Sequence, residues 1–456
     1  MEPNLILDYM QRYFYSDITR DCRFRWTHLI ELQKAIRHFE PEIIESLRAD
    51  LGKAPQESYM TEIGMVLKEI DFAVKHVNKW FRLKRKPTPL SIFPATSRVI
   101  QEPYGSVLIM SPWNYPFQLA MIPLIGAVAA GNCVVLKPSE LAPHTANIIE
   151  TIIKEVFPPQ YVSVVQGDAS VGEALLNCNF DMIFFTGSPK VGRIVMEHAA
   201  KNLTPVVLEL GGKSPCIVHK SADMEMAAQR ITFGKFLNAG QTCVAPDYVV
   251  VNSESKEQFI KYLQIAIEKA FGKKPLYNEE LPRIISDHHF TRLLRLMKGE
   301  KIAVGGEFDR AKKKIAPTIL DDITWESPVM QEEIFGPILP VISYDNYDRL
   351  LSRLKRAPSP LAFYIFSEDE SAIKDAIHTV PFGGGCVNDT VMHLVNSHLP
   401  FGGIGNSGMG KYHGKYSFDT FSHSKSIVRK LHYFDLRLRY HPYDEKKYKI
   451  IRKFMK

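Results

Sequence analysis

Residues 182–208 read MIFFTGSPKVGRIVMEHAAKNLTPVVL. The apolar run at 182–185 predicts a buried β-strand, and the run at 206–208 predicts a second one. Between them, a Thr-Gly-Ser turn leads into a stretch of helical character that opens with Pro189, a residue favoured in the first turn of a helix. A strand, a helix and a second strand in this order predict a right-handed βαβ unit and a parallel sheet.

The same alternation of strand and helix extends from about residue 98, with further strands expected at 107–109, 134–136 and 162–165. A second alternating series begins near residue 214 and ends near 385. It includes strands expected at 248–251 and 362–366 and a helix expected over 256–271. The chain is therefore predicted to be α/β with a doubly wound sheet.

The remaining segments suggest a smaller element attached to two α/β domains. Residues 5–85 predict two or three amphipathic helices. The segment 84–94 holds three prolines and a basic cluster, which is typical of a connector rather than of a core. A glycine-rich belt at 382–414 precedes the final basic segment. A chain of 456 residues is also too long for one hydrophobic core, which agrees with two or three domains.

The composition is that of a globular enzyme, with 45% apolar and 23% charged residues. Six cysteines at wide, irregular spacings show neither a disulfide framework nor zinc-ligand spacing. Free thiols suit a reducing compartment, and an acid at Glu2 stands where an export signal would have a basic region, so a cytoplasmic protein is expected.

The formal net charge of +7 raises the question of nucleic-acid binding. Its distribution argues against that partner, because the last eleven residues carry six basic side chains and no acid, which leaves the rest of the chain nearly neutral. These basic residues are Lys446, Lys447, Lys449, Arg452, Lys453 and Lys456. The almost wholly apolar segment 117–136 resembles a membrane span, but Gly131-Asn132 indicates a helix stop before a short strand. A buried helix followed by a buried strand is expected there.

Cys243 lies in the run NAGQTCVAP, residues 238–246, among a glycine and small polar residues that favour a loop facing a cavity. The other five cysteines lie in apolar or mixed contexts. A free thiol at neutral pH is only roughly 3% thiolate at its reference pKa, so a nucleophilic cysteine needs neighbours that favour ionisation. Cys243 is the candidate nucleophile.

Two polar side chains elsewhere could serve the same chemistry. Glu209 follows the strand at 206–208 and precedes two glycines, so its carboxylate is placed to reach a cleft and activate water. The alternative is a solvated loop glutamate. Asn114 lies in the loop Ser-Pro-Trp-Asn-Tyr-Pro, where two prolines would fix its amide as a donor to an oxyanion. A turn-forming asparagine is the alternative.

The turn from the strand at 182–185 into the next helix is a candidate anion site. Thr186, Gly187 and Ser188 form the turn, and Gly192 completes a Gly-x-x-x-x-Gly spacing. Unpaired N–H groups and the helix dipole favour an anion at such a helix start. The spacing is not the usual dinucleotide fingerprint, so phosphate binding and an ordinary turn remain equally compatible with the sequence.

Two further pairs could bind a ribose or a flat ring. Lys137 and Glu140 follow the strand at 134–136 and could hold ribose hydroxyls, although a surface turn is the simpler interpretation. Glu333 and Phe335 lie in Glu-Ile-Phe-Gly-Pro, where a carboxylate could bond a ribose and an aromatic ring could press on a cofactor. Core packing is the alternative for Phe335.

The order of these motifs resembles the aldehyde dehydrogenase superfamily over nearly the whole chain. Six motifs carry the resemblance: PWNYP at 112–116, KPSE at 137–140, FTGS at 185–188, LELGGK at 208–213, GQTC at 240–243 and EIFGP at 333–337. The continuation VAPDY at 244–248 and the belt from Pro400 to Gly408 resemble the class 3 branch. The resemblance implies a Rossmann-like cofactor domain, an α/β catalytic domain and a small β bridging element.

The resemblance also implies domain boundaries. Residues 1–83 and 103–209 would form the dinucleotide-binding domain and residues 210–390 the catalytic domain. Residues 84–102 and 391–430 would form the bridging and oligomerisation element, and 431–456 a basic C-terminal arm.

The resemblance further assigns roles to the candidate residues in the oxidation of an aldehyde to a carboxylic acid. Cys243 would attack the aldehyde, Asn114 would stabilise the oxyanion, and Glu209 would activate the water that hydrolyses the thioester. The remaining candidates would bind NAD: Lys137 and Glu140 at the adenosine ribose, Thr186, Gly187, Ser188 and Gly192 near the pyrophosphate, and Glu333 and Phe335 at the nicotinamide ribose and ring.

The cofactor and the partners follow from the same resemblance. Glu140 favours NAD because a carboxylate repels a 2′-phosphate, while class 3 members often accept NADP too. No metal is expected. A homodimer formed by sheet extension is implied. In the tail, Tyr448, Ile451, Phe454 and Met455 would share one helical face that could rest on an anionic membrane, but an arm packed on the partner subunit is preferred.

Two other functions are compatible with the motifs. A non-catalytic protein of this fold would not need Cys243, Glu209 and Asn114 together. An acyl reductase working in reverse would have no use for Glu209, which serves thioester hydrolysis. Aldehyde oxidation is therefore preferred, with medium-chain aliphatic or aromatic aldehydes as the expected substrates.

Overall fold

The computed structural model describes residues 2–455. The α-helices are α1 (Pro3–Tyr15), α2 (Cys22–His38), α3 (Glu40–Leu51), α4 (Pro55–Ser58), α5 (Gly64–Trp80), α6 (Gln118–Ala130), α7 (Pro143–Val156), α8 (Ala169–Leu176), α9 (Pro189–Lys201), α10 (Met224–Phe236), α11 (Lys256–Phe271), α12 (Asp287–Met297), α13 (Tyr347–Arg356), α14 (Glu370–Thr379), α15 (Lys415–Thr420) and α16 (Glu445–Phe454). A π-helical turn, Tyr59–Ile63, joins α4 to α5.

The β-strands are β1 (Lys84–Lys86), β2 (Ala95–Pro103), β3 (Ser106–Met110), β4 (Cys133–Lys137), β5 (Val162–Val164), β6 (Met182–Gly187), β7 (Val206–Leu210), β8 (Pro215–Val218), β9 (Tyr248–Asn252), β10 (Lys301–Val304), β11 (Phe308–Asp309), β12 (Lys314–Ile315), β13 (Thr318–Asp321), β14 (Ile338–Tyr344), β15 (Ala362–Phe366), β16 (Gly384–Val387), β17 (Gly408–Met409) and β18 (Ser422–Lys430).

The first sheet has six strands in the order β17-β7-β6-β3-β4-β5. Five of them are parallel, and only β17 runs antiparallel, against β7. Every apolar run that predicted a strand between residues 98 and 208 lies in this sheet. Their carboxyl ends meet along one edge, where ligands bind in open α/β sheets. The predicted doubly wound α/β fold is confirmed.

The second sheet has seven strands in the order β10-β13-β14-β9-β8-β15-β16. All neighbours are parallel except β10 and β13. The predicted strands at 248–251 and 362–366 are β9 and β15, and the helix predicted over 256–271 is α11 with the same bounds. The β-branched and aromatic residues of these strands are buried on both faces, as parallel strands covered by helices require.

A third, antiparallel sheet has the order β1-β2-β18 and joins residues far apart in sequence. Residues 84–94 were predicted to be a connector rather than core, and they also contribute a strand, because Lys84–Lys86 pairs with β2, with Lys84 opposite Val99. The prolines that follow β1 made the segment look like a loop in the sequence. A small hairpin, β11-β12, completes the strands.

The prediction of two or three helices over residues 5–85 was wrong. Five α-helices lie before residue 85, because the left-handed residue Gly52 ends α3 and a new helix begins at Pro55. The apolar segment 117–136 forms α6, wholly buried, followed by β4, as predicted. No helix within residues 2–455 is long and apolar enough to cross a membrane. The basic tail forms α16, while Lys456 and the side chain of Phe454 lie outside the described part of the chain.

A buried ion pair connects the N-terminal helices to the loop before α6. Lys53 and Glu62 lie 2.5 Å apart, and neither side chain has exposed surface. Glu62 Oε2 accepts hydrogen bonds of 2.9 Å from the backbone N–H groups of Phe117 and Gln118, at the start of α6. Lys53 Nζ also donates to the Asn114 carbonyl at 3.2 Å. The pair therefore fixes both the N-terminus of α6 and the loop that carries Asn114.

We expect Lys53→Met to lower the free energy of unfolding by roughly 3–5 kcal/mol, because it leaves the Glu62 carboxylate buried without its cation. The matched control is Lys154→Met, which breaks the Lys154–Glu150 pair on the surface, where Lys154 is 73% exposed. That change should cost less than about 1 kcal/mol. Urea unfolding followed by circular dichroism measures both, and equal losses in the two variants would contradict the role of the buried pair.

Candidate active site

The loop after α10 holds Cys243 in an unusual backbone conformation. Asn238 and Ala239 both adopt left-handed dihedral angles, with φ of 53° and 52°, and Gly240 follows at 73°. A Cβ on Gly240 would lie 2.2 Å from the Gly336 carbonyl oxygen, so only glycine fits. Each left-handed non-glycine residue costs roughly 1–2 kcal/mol. The surrounding structure must supply that energy to hold Cys243 in place.

The environment of Cys243 disfavours the thiolate in the ligand-free protein. Burial, and then the nearby Glu333 and Glu209 carboxylates, raise the pKa of the thiol to about 12. The backbone N–H groups of Cys243 and Val244 act in the opposite direction. The structure brings Cys243 together with two of the predicted acidic residues, Glu333 and Glu209.

Asn114 contacts the cysteine loop directly. Its side chain is buried, and its amide Nδ2 donates to the Gln241 carbonyl at 3.1 Å. A primary amide has two N–H groups, so one remains for a ligand. The backbone carbonyl of Asn114 accepts a hydrogen bond of 2.7 Å from Asn238 Nδ2. The two loops, more than 120 residues apart in sequence, are thus joined by reciprocal hydrogen bonds.

Glu209 lies at the carboxyl end of β7, buried to 3% exposure. Neither carboxylate oxygen has a hydrogen-bond partner within residues 2–455, and burial raises its pKa well above the usual value for a glutamate. The glycine-rich belt covers it, since β17 pairs Gly408 with Glu209 and a Cβ on Gly408 would lie 2.1 Å from the Leu208 carbonyl oxygen. An unpaired buried carboxyl is costly and is typical of a functional acid or base.

Several residues that hold this site were missed from the sequence. The Gln241 Oε1 accepts a hydrogen bond from the Ile285 N–H at 3.0 Å. The Gln241 Nε2 donates to the Asn238 and Arg283 carbonyls, both at 3.1 Å. Tyr115 hydroxyl and Thr242 Oγ1 lie 2.7 Å apart. Asn238 could have been found, because asparagine is one of the few residues that tolerate a left-handed conformation. The others have no local sequence signal.

The predicted anion site lies where β6 ends and α9 begins. Ser188 is the N-cap of α9, and its Oγ accepts from the Val191 N–H at 3.4 Å. The Thr186 hydroxyl is buried with no partner among the described residues. A Cβ on Gly192 would lie 2.8 Å from the Leu210 side chain, so this glycine lets α9 pack closely on β7. The positive end of the α9 dipole and an unpaired hydroxyl fit a phosphate group.

Lys137 and Glu140 lie together at the end of β4. Lys137 Nζ and Glu140 Oε2 are 2.9 Å apart, with the lysine side chain 7% exposed and the glutamate side chain 42% exposed. The carboxylate is therefore accessible to a ligand, while the buried ammonium holds it in position. This arrangement fits ribose hydroxyls, which accept hydrogen bonds from an ammonium and donate them to a carboxylate.

Glu333 and Phe335 form a turn facing the cysteine loop. A Cβ on Gly211 would lie 2.1 Å from Glu333 Oε2, so the carboxylate occupies the space that this glycine leaves. Burial, and then the charge of Asp247, raise the pKa of Glu333 to about 8. Phe335 has a left-handed φ of 50°, and its ring lies edge-on to Trp113 with the centroids 5.3 Å apart. The structure thus places both predicted residues in the turn beside the cysteine loop.

The Glu333 turn is held by an ion pair that the sequence did not reveal. Lys213 binds Asp247 and donates to the Val329 and Glu332 carbonyls, at 3.1 and 2.9 Å. Asp247 Oδ1 accepts the Ile334 N–H at 2.9 Å. The predicted residues of the first sheet lie at or just beyond the carboxyl ends of β3, β4, β6 and β7, while Cys243 and Glu333 lie in loops that precede β9 and β14 of the second sheet.

Comparison with known proteins gives matches over nearly the whole chain. The family model described as the aldehyde dehydrogenase family matches residues 19–427. A curated relative, the 4,4'-diaponeurosporen-aldehyde dehydrogenase of Staphylococcus aureus, is 46% identical over 97% of this chain and 97% of its own. Aldehyde dehydrogenase family 3 member H1 of Arabidopsis thaliana is 42% identical, over 98% of this chain and 94% of its own length.

Solved structures show the same fold. The substrate-bound state of Staphylococcus aureus AldH superposes with a TM-score of 0.97 at 45% identity and covers 99% of both chains. An indole-3-acetaldehyde dehydrogenase in complex with NAD⁺ gives a TM-score of 0.85 at 26% identity, with 93% of this chain and 88% of that chain covered.

The raised pKa values predict a specific pH dependence for alkylation of Cys243 by iodoacetamide. At about pH 9 the Glu333 carboxyl, with its pKa of about 8, is ionised and disfavours the thiolate. Glu333→Gln should therefore speed alkylation roughly tenfold at that pH, as expected for a thiol pKa lowered by about one unit. At about pH 6 Glu333 is protonated, and the two proteins should react at the same rate. Peptide mass spectrometry measures the labelling.

The matched control is Glu332→Gln, which changes the neighbouring carboxylate and removes its contact with Arg295. This variant should react like the wild type at both pH values. An equal acceleration in both variants, or none in Glu333→Gln at the higher pH, would show that Glu333 does not act on the thiol.

Proposed function

Because this chain belongs to the aldehyde dehydrogenase family, whose members oxidise aldehydes with NAD(P), we propose that Cys243, Asn114 and Glu209 carry out the reaction. The observation that supports this most directly is the bond from Asn114 Nδ2 to the Gln241 carbonyl, two residues before Cys243. It holds the amide against the cysteine loop with one N–H uncommitted.

In the first step, the Cys243 sulfur attacks the aldehyde carbon, and a C–S bond forms as the carbonyl π bond becomes an oxyanion. The free Asn114 N–H and the backbone N–H of Cys243 stabilise that oxyanion, since both donors are already fixed before charge develops. The thiol proton passes to water before or during attack, and the raised pKa of the thiol makes this proton loss unfavourable.

Bound NAD(P) supplies the hydride acceptor. Loss of hydride from the carbon bonded to Cys243 leaves a thioester, which water must hydrolyse to release the acid and regenerate the thiol. Glu209 would take the proton from this water, a role that requires its ionised form. Because burial raises its pKa, the ionised fraction of Glu209, and with it hydrolysis, should rise with pH. This base also argues against an acyl reductase working in reverse.

The chain offers a dinucleotide a consistent set of contacts along the edge of the first sheet. We assign Lys137 and Glu140 to the adenosine ribose, and Thr186, Gly187, Ser188 and Gly192 to the pyrophosphate. Glu333 and Phe335 would position the nicotinamide ribose and ring. The exposed Glu140 carboxylate favours NAD over NADP, because it repels a 2′-phosphate.

The domain assignment extends these roles to the whole chain. The dinucleotide-binding domain would comprise 1–83 and 103–209 around the six-stranded sheet, and the catalytic domain 210–390 around the seven-stranded sheet. The three-stranded sheet would bridge subunits of a homodimer through 84–102 and 391–430. Its edge strand β18 supports this assignment, since eight of its nine residues are not buried.

The substrates would be apolar aldehydes, aliphatic or aromatic. The name of the relative from Staphylococcus aureus, which acts on a diaponeurosporen aldehyde, supports this class. We place the enzyme in the cytoplasm, on the basis of six free cysteines. The arm 431–456 exposes Tyr433, Tyr443 and Tyr448, and we assign it to contact with the partner subunit rather than with a membrane.

The nucleophile is tested by NADH formation at 340 nm with a panel of aliphatic and aromatic aldehydes. We expect the wild type to turn over and Cys243→Ala to lose at least about a thousandfold in kcat, because no other group can form the thioester. The control is Cys22→Ala, which removes a thiol that donates a hydrogen bond to the Asn78 side chain in the N-terminal helices. This variant should keep full activity. Turnover by Cys243→Ala would refute the thiol mechanism, and an inactive wild type with either cofactor would favour the reductase.

A further inference from the structure

A cavity of about 410 Å³ lies between α4, α10 and α11, beside the cysteine loop. Its walls are mainly apolar and include Phe233, Phe236, Tyr262, Ile265, Ala266 and Phe271. It opens to solvent where Ile265 is 58% exposed. The volume is within the range of about 300–1,000 Å³ typical of small-molecule sites. Cys243, Asn114 and Glu209 are not among its lining residues.

The polar groups of the cavity suit an uncharged ligand. Glu225 and Lys269 at the mouth have opposite charges, so they attract neither anions nor cations overall. Inside, the Thr232 hydroxyl is buried with no hydrogen-bond partner among residues 2–455. Glu57 also lines the cavity, and burial raises its pKa to about 7. A hydroxyl or carbonyl head group could pair with these two side chains, while a hydrocarbon chain would fill the apolar walls.

Glu57 connects the cavity to the cysteine loop. Its Oε1 accepts a hydrogen bond of 2.8 Å from the backbone N–H of Asn238, the first of the left-handed residues before Cys243. The Asn238 side chain donates in turn to the carbonyls of Asn114 and Gln241, at 2.7 and 3.2 Å. A ligand that binds Glu57 therefore competes for a group that holds the strained turn in place.

We propose that this cavity is a second ligand site, which takes an uncharged molecule with a linear hydrocarbon chain and a hydroxyl or carbonyl head. Its occupant alters the reactivity of Cys243 through the hydrogen bond from Asn238 to Glu57. The inference depends on the proposed function only in that Cys243 is the group whose reactivity matters. The cavity does not include the reacting side chains.

The test uses 1-octanol as the probe and requires no turnover. Calorimetry measures octanol binding, and iodoacetamide labelling of Cys243 measures the response of the loop. In the wild type we expect one site per chain and a change in labelling rate of roughly fivefold or more at saturation. Ala266→Trp, or Ala270→Trp as a second filling variant, should abolish both. Gln264→Trp, which puts the same side chain on α11 outside the cavity, should behave like the wild type.

Glu57→Ala separates binding from coupling. It should bind octanol through the remaining apolar walls with weaker affinity, yet show no response of Cys243 labelling at saturation, because the connection to Asn238 is gone. Unchanged octanol binding in both filled variants would overturn the proposal by placing the probe elsewhere, such as the aldehyde channel. Binding that the filled variants abolish, without a change in labelling rate, would overturn the coupling. Neither result depends on whether the protein oxidises aldehydes.

Discussion

The site depends on the backbone carbonyl of Asn114, which two buried side chains hold at once. Lys53 Nζ and Asn238 Nδ2 both donate to this oxygen, at 3.2 and 2.7 Å. Lys53 belongs to the N-terminal helices and Asn238 to the cysteine loop, so one acceptor connects three parts of the chain. Together with the hydrogen bond from the Asn238 N–H to Glu57, the bond from Asn238 Nδ2 helps to hold two successive left-handed residues before Cys243.

The second feature of the site is the low polarity around its acidic groups. Cys243, Glu209 and Glu333 all have pKa values raised mainly by burial, and the two carboxyls raise that of the thiol further. Burial and the two carboxyls therefore favour the protonated form of the Cys243 thiol, because electrostatic effects are large where water is excluded.

The fold was largely predictable from the sequence, because buried parallel strands are short β-branched runs between helices. The cysteine loop and the Asn114 loop were also visible, each through its own turn residues. The contact between the two loops was not visible in the sequence, because the hydrogen bond from Asn114 to the Gln241 carbonyl joins residues 127 positions apart. Lys53 and Glu62 carry no sequence signal that marks them as buried. Only packing shows that they are buried, and the same holds for Glu57 and the cavity beside it.

The proposed role of Glu209 in releasing the product from Cys243 is tested most directly by the mass of the enzyme after a single turnover. Glu209→Gln, mixed with NAD and an aldehyde, should form NADH once per site and then retain the acyl group on the Cys243 peptide, while the wild type should return to its free mass. Hydrolysis of the thioester by Glu209→Gln at the wild-type rate would contradict the role of this carboxylate as the base.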